Sequence, residues 1–180
     1  KIDSMDSGIL ALIWIVTLLG LAYLFLAIYT IIVLVDFKGK LRKRLVALSV
    51  VYAEKKDVLL SLYALYQKAK LPLDNDVKLA KKDVVSLTTE AEYEEQSMAI
   101  VGALNVFQRR LSLLGEEERY IQKSPDYVSY TNSLKDLDNN YHRIVAAYNA
   151  DLAGYEYWRK RLTYRWLTWL LGFRKRERLA

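Results

Sequence analysis

From Gly8 to Val35 the chain runs GILALIWIVTLLGLAYLFLAIYTIIVLV, 28 residues without a charged side chain. An α-helix rises about 1.5 Å per residue and a bilayer core is about 30 Å thick, so roughly 20 residues suffice to cross it. A buried core helix of this length would need a large domain around it, and 180 residues do not supply one. A secretory signal has a basic start and an apolar core of only about 7–15 residues. Here the leader KIDSMDS is slightly acidic and the run is far longer. The segment reads as a transmembrane helix over 8–35, preceded by a leader over 1–7.

The flanks predict its orientation. One Lys and two Asp precede the run, whereas Lys38, Lys40, Arg42, Lys43 and Arg44 follow it against a single Asp36. Cytoplasmic flanks carry the excess of Lys and Arg. The expectation is a single-pass membrane protein with its amino terminus outside and its remaining mass on the cytoplasmic side.

That remaining mass reads as helical. Two prolines and seven glycines in the whole chain leave few breakers among strong helix formers. The first apolar stripe after the anchor is Leu41, Leu45, Leu48, Tyr52, Leu59, Leu62, Tyr66 and Ala69, interrupted by Lys55. Pro72 with LDND turns the chain. A shorter stripe follows in Val77, Ala80, Val84 and Leu87, and a third in Tyr93, Ile100, Leu104, Phe107, Leu111, Leu114 and Ile121. Ser124 and Pro125 are a cap and a first helical residue for the last helix. Its stripe is Tyr127, Tyr130, Leu134, Leu137, Tyr141, Ile144, Tyr148, Tyr155 and Trp158, broken by Asp151.

Two topologies compete. One continuous helix from about 76 to 121 gives three helices in all. A break near Thr88, with Thr89 and Glu92 as a capping box, gives four. The four-helix topology returns the carboxyl end to the membrane, where its composition belongs. The predicted fold is therefore all-α: the transmembrane helix, an up-and-down four-helix bundle over 36–158, and a basic, Trp-rich amphipathic helix over 159–180.

Residues 155–180 hold eight Lys or Arg and two Glu, while the other 154 residues hold 19 of each sign. The basic excess is thus confined to the tail. There Trp158, Arg159, Arg161, Arg165, Trp166, Trp169, Phe173 and Arg174 interleave aromatic rings with cations. That mixture suits an anionic membrane interface better than nucleic acid.

Catalytic signatures do not emerge. The absence of cysteine removes disulfides, thiolate ligands and thiol nucleophiles. His142 is the single histidine, without metal-ligand neighbours at helical spacing, and reads as a surface residue. The clusters Glu90/Glu92/Glu94/Glu95 and Glu116/Glu117/Glu118 read as solvated helix faces. No catalytic, cofactor-binding or metal-binding residue is assigned, and no small-molecule substrate. The tyrosine seam reads first as bundle core with hydroxyls at its edge. Its polar members make Lys55, Tyr141, Tyr148, Asn149, Asp151 and Tyr155 a candidate interaction seam.

Several of these segments resemble one family. The anchor, KKDVLLSL at Lys55–Leu62, SPDYVSYTNSLKDL from Ser124, RIVAAYNADLAGY from Arg143 and the closing LGF at Leu171–Phe173 are together similar to the LemA family of bacterial membrane proteins. Lys55, Lys56, Asp57, Val58 and Leu59 match its basic-Asp-Leu element, Pro125 and Asp126 its Pro-Asp turn, and Tyr148 and Asn149 its Tyr-Asn pair. Tyr155 with Glu156 stands where that family has a second Tyr-Asn pair. The resemblance implies a membrane-anchored helical bundle without catalytic residues. Together these readings predict a scaffold or interaction module, with the lipid bilayer and other membrane proteins or further copies of itself as partners. The alternative is an anionic-lipid sensor or membrane remodeller acting through the tail.

Overall fold

The structure is a computed structural model that describes the backbone of residues 2–90, 93–161 and 164–179, and the side chains of 6–86, 99–161 and 164–179. The described residues form helices and no strand: α1 (Ile2–Lys68), α2 (Asn75–Glu90), α3 (Tyr93–Glu117), α4 (Arg119–Gln122), α5 (Pro125–Arg159) and α6 (Arg165–Leu170). They divide into two compact units, Lys1–Leu41 with Asn149–Ala180, and Arg42–Tyr148.

In the unit Arg42–Tyr148 the helix boundaries follow local chemistry. α1 stops where Lys70 adopts φ 57°, with Lys70 N–H bonded to Gln67 O at 3.0 Å and Leu71 N–H to Tyr66 O at 3.1 Å. This paired closure satisfies the last carbonyls of the helix, and Pro72 forbids its resumption. α5 starts at Pro125, and the Ser124 carbonyl accepts from Val128 N–H at 3.1 Å. The expected start is therefore met. α2 runs on through Thr88 and Thr89 to Glu90, two residues past the expected break. Glu92, the other half of the proposed capping box, lies outside the described residues, as do the side chains of Leu87 and Tyr93.

Cross-helix contacts set the directions inside this unit. Asp76, near the start of α2, pairs with Arg110, far along α3, at 3.3 Å, so the chain reverses between these helices. A single helix over 76–121 would hold those residues some 50 Å apart. Tyr52 meets Tyr141 and Lys55 meets Asp138, which makes α1 and α5 antiparallel here. The core between them is apolar: Leu48, Val51, Leu59, Leu62 and Tyr66 from α1, Val77 and Val84 from α2, and Ile100, Leu104, Phe107 and Leu111 from α3. Each such side chain contributes roughly 1.5–3 kcal/mol by leaving water. Tyr66 keeps its hydroxyl satisfied by donating to Leu111 O at 2.9 Å.

The stripe of α5 differs in phase from the one expected. Leu137 and Ile144 are half-buried, whereas Leu134, Val145, Tyr148, Leu152 and Tyr155 are buried. These positions keep a 4–3 alternation in which Asp138 and Tyr141 occupy the places between Leu134 and Val145. A charged residue therefore sits on the inward face.

In the unit Lys1–Leu41 with Asn149–Ala180, every residue from Asp6 to Leu26 is exposed. Beyond it Ala27, Thr30, Leu34 and Leu41 are buried, at helical spacing. Thr30 returns its hydroxyl to Leu26 O at 2.8 Å, which allows a polar side chain to be buried there. Gly154 makes room for Phe37: a Cβ at 154 would sit 2.6 Å from its ring. The expected amphipathic helix over 159–180 is not formed. α5 ends at Arg159, and among the described residues of the tail the α-helix is the six residues of α6. The stop has a local cause. Gly172 takes φ 72°, with Phe173 N–H on Thr168 O at 2.9 Å and Gly172 N–H on Trp169 O at 3.2 Å. A glycine enters that left-handed region freely, and the closure ends the helix.

Candidate functional site: a lysine-centred cavity and a folded-back tail

Lys55 follows Tyr52 on the buried face of α1, and only 7 % of it is exposed. An ammonium so placed must be paired and hydrogen-bonded. Its Nζ lies 2.7 Å from Asp138 Oδ1 on α5 and donates to Asn105 Oδ1 on α3 at 3.3 Å. The other carboxylate oxygen of Asp138 accepts from Gln108 Nε2 at 3.0 Å. One network thus ties three helices together. Sequence reasoning singled out Lys55 and missed its partners. The signal for Asp138 was present, because Asp138, Val145 and Leu152 lie seven residues apart, each three before a tyrosine.

Beside this network is a cavity of about 160 Å³ lined by Val51, Tyr52, Lys55, Val101, Leu104, Asn105, Asp138, Tyr141 and His142. Tyr52 and Tyr141 face each other with ring centroids 6.1 Å apart. Burial pushes both phenols up from their usual range. The neighbouring Tyr141 phenol raises Tyr52 further, whereas the hydrogen bond between them pulls Tyr141 partly back. His142 is exposed, as expected, and sets its ring edge-on to Tyr141 at 5.4 Å. Among the described residues no group of three metal-ligating side chains converges. Every buried side-chain nitrogen or oxygen among them has a partner. Lys55, Asn105 and Asp138 engage one another, as do Tyr52 and Tyr141, which suits holding helices in register.

The remaining seam residues divide between the units. Tyr148 is buried in the unit Arg42–Tyr148. Asp151 belongs to the other unit, where its charge helps raise the Lys40 ammonium, behind the larger effect of the Asp36 carboxylate bonded to it at 2.8 Å. Asn149 and Tyr155 clamp the tail. Asn149 Nδ2 donates to Leu179 O at 2.8 Å, and its Oδ1 accepts from Leu179 N–H at 3.0 Å, imitating a backbone pair. Tyr155 donates its hydroxyl to Arg174 O at 2.9 Å. Residues 174–179 therefore return along α5.

The aromatic part of the tail meets α1. Tyr164 stacks on Tyr23 with centroids 5.2 Å apart, and Trp166 Nε1 donates to the Tyr23 hydroxyl at 3.0 Å. Trp158 stands edge-on to Tyr29 at 5.8 Å, with the Arg161 guanidinium 4.8 Å from its ring. Arg159 holds Glu156 through two bonds of 3.1 and 2.8 Å. Burial alone would raise the Glu156 carboxyl, but those bonds, the Arg159 charge, the Arg176 backbone and Lys160 outweigh it and hold it below the usual range. Thr168 turns inward, donating to Arg165 O at 2.9 Å. Trp166, Trp169 and Leu170 lie on the opposite face of α6 and are exposed, Trp169 to 82 %. Phe173 is half-buried, while Arg165 and Arg174 are exposed.

A scan against protein-family models finds no match for this chain, and comparisons with curated proteins and with solved structures find none either.

Proposed function

We propose that the chain is a membrane-anchored, non-enzymatic interaction module that serves as a scaffold, as a subunit of a larger membrane assembly. The observation that carries this reading is the first part of α1. Its residues from Gly8 to Leu26 are apolar, uncharged and exposed on all sides, and α1 holds a segment long and apolar enough to cross a membrane. An apolar rod of this length, so largely exposed, is stable only in lipid or against other chains.

The rest follows as part of the same proposal. The helices of Arg42–Tyr148 are an up-and-down four-helix bundle, supported by the reversal between α2 and α3 and the antiparallel pairing of α1 with α5. The basic flank Lys38–Arg44 supports a cytoplasmic bundle and an external amino terminus. The LemA-like segments support the same architecture. The mutual pairing of Lys55 with Asp138 and Asn105, and of Asp138 with Gln108, favours a structural role over catalysis. Purification in gentle detergent at native abundance, followed by mass determination of the intact particle, tests the reading. Reproducible companions in a large particle support it. A particle of identical chains alone would shift weight to a lipid-surface role, which the exposed face of α6 also favours.

A further inference from the structure

We infer that the bilayer ends at the level of Leu26, and that α6 forms a collar which rests its Trp166/Trp169/Leu170 face on the headgroups and upper chains of an anionic leaflet. The inference rests on the anchored reading of α1 and fixes where the membrane stops and what the tail touches.

Four observations converge on it. The first is length. Gly8–Leu26 is 19 residues, about 28 Å of helix, which matches a hydrocarbon core of about 30 Å, whereas the full run to Val35 is about 42 Å. The second is the change in burial at Ala27. From Asp6 to Leu26 every side chain of α1 is exposed, Tyr23 at 38 % beside the tail, and from Ala27 onward one face is buried at Ala27, Thr30 and Leu34. Protein therefore covers one face of the second part of the run, while Ile28, Ile32 and Val35 stay exposed on the other.

The third is the polarity of α6, which is inverted relative to a helix in water. Thr168 points into the protein, while Trp166, Trp169 and Leu170, at spacings of three and four, point out. An apolar face turned outward beside an apolar rod fits lipid. The tryptophan pair and the surrounding Arg161, Arg165 and Arg174 fit the interfacial depth in particular, where indoles settle and guanidinium groups reach anionic headgroups. The fourth is the backbone. Residues 171–179 are not helical, and their backbone bonds include those to the Asn149, Tyr155 and Glu156 side chains and the Gly172 closure. Such backbone does not face hydrocarbon. A bilayer reaching Val35 would put Tyr23, to which the tail is pinned, about 18 Å below its edge and Tyr29 about 9 Å below it, whereas an edge at Leu26 leaves Tyr29 outside and Tyr23 about 4.5 Å down, among the upper chains. The Trp166–Tyr23 hydrogen bond and the Tyr164 stack hold α6 at that level.

The chain has no cysteine, so single-cysteine variants report unambiguously. Leu18→Cys, Ile32→Cys and Trp169→Cys each replace an exposed side chain and leave the packing intact. The full chain is reconstituted in phosphatidylcholine–phosphatidylglycerol vesicles and treated, with both faces accessible, with a charged maleimide. Depth is read by bimane on each cysteine and lipids brominated near the headgroup or near the chain end. Ile32→Cys should label as fast as in detergent, while Leu18→Cys should lose its labelling. Bimane at 169 should be quenched by the shallow bromines, and at 18 by the deep ones. Protection of Ile32→Cys together with Leu18→Cys would overturn the inference while sparing the anchor, since the membrane would then extend past Ile32. Bimane at 169 quenched by neither lipid would also overturn it. Labelling of Leu18→Cys in vesicles at its detergent rate would instead bring down the anchored reading itself.

Discussion

Two stretches of α1 share a composition and differ in everything else. Gly8–Leu26 and Ala27–Val35 belong to one uncharged run, and hydropathy does not separate them. In the first, no residue is buried. In the second, Ala27, Thr30 and Leu34 form a buried stripe against which the end of α5 and the tail can pack, with Phe37 continuing the contact at Gly154. An apolar residue can be selected to meet lipid or to meet protein, and in this run the periodicity of burial, rather than of hydropathy, distinguishes the two. A lipid-facing helix needs apolarity all round, whereas a packed one needs it on one face.

The sharpest way to break this comparison is to truncate one leucine from each stretch. Leu34 is wholly buried, so Leu34→Ala should destabilise the chain in detergent by about 2–5 kcal/mol. Leu18, 62 % exposed, should tolerate alanine with little change in the unfolding midpoint. Equal effects from both would mean that the stripe is no more packed than the rod.

The contrast extends to two lysines farther along α1. Lys40 pairs with Asp36 at an exposed surface, and Lys55 pairs with Asp138 in the core. Asp138→Ala leaves the Lys55 ammonium buried with Asn105 alone. The side chain of Asp138 is 35 % exposed, so the loss should fall toward the lower part of the range for broken buried pairs, about 2–3 kcal/mol by chemical denaturation. Asp36→Ala should leave the denaturation curve where it was. Adding Lys55→Met to Asp138→Ala should recover much of the loss, because the stranded charge goes with it.

Smaller effects refine the boundary at Tyr23. Tyr23→Phe keeps the stack on Tyr164 and removes the acceptor of the Trp166 indole, a loss of about 0.5–1.5 kcal/mol. It should be visible as faster protease cleavage within 160–175, with the thermal transition of Arg42–Tyr148 unmoved. Smallest is the pH response of Glu156. Its folded pKa lies below the unfolded value of about 4.3, so the Glu156–Arg159 pair stabilises the tail above that pH. The contribution is lost as pH falls through the depressed folded value. Tail protection in the wild-type chain should therefore drop more steeply below about pH 4 than in Glu156→Gln, whose profile should be flatter.

Sequence alone determined the features that depend on near neighbours. The 28-residue apolar run, the stops at Lys70–Pro72 and the start at Ser124–Pro125 arise from hydropathy, proline geometry and helix ends, and each is local. The anomaly of Lys55 was equally visible, as a charge on an apolar stripe. Tertiary structure decided the rest. The counter-ion of Lys55 turned out to be Asp138, 83 residues away, because antiparallel α1 and α5 bring those two turns level. The basic tail became a short helix and a returning strap, because a left-handed Gly172 ends α6 while Asn149 and Tyr155 hold backbone groups about 20 to 30 residues on. The apolar run was divided at Ala27 by what packs against it. Burial is a property of a pair of surfaces, and one strand of sequence carries only one of them.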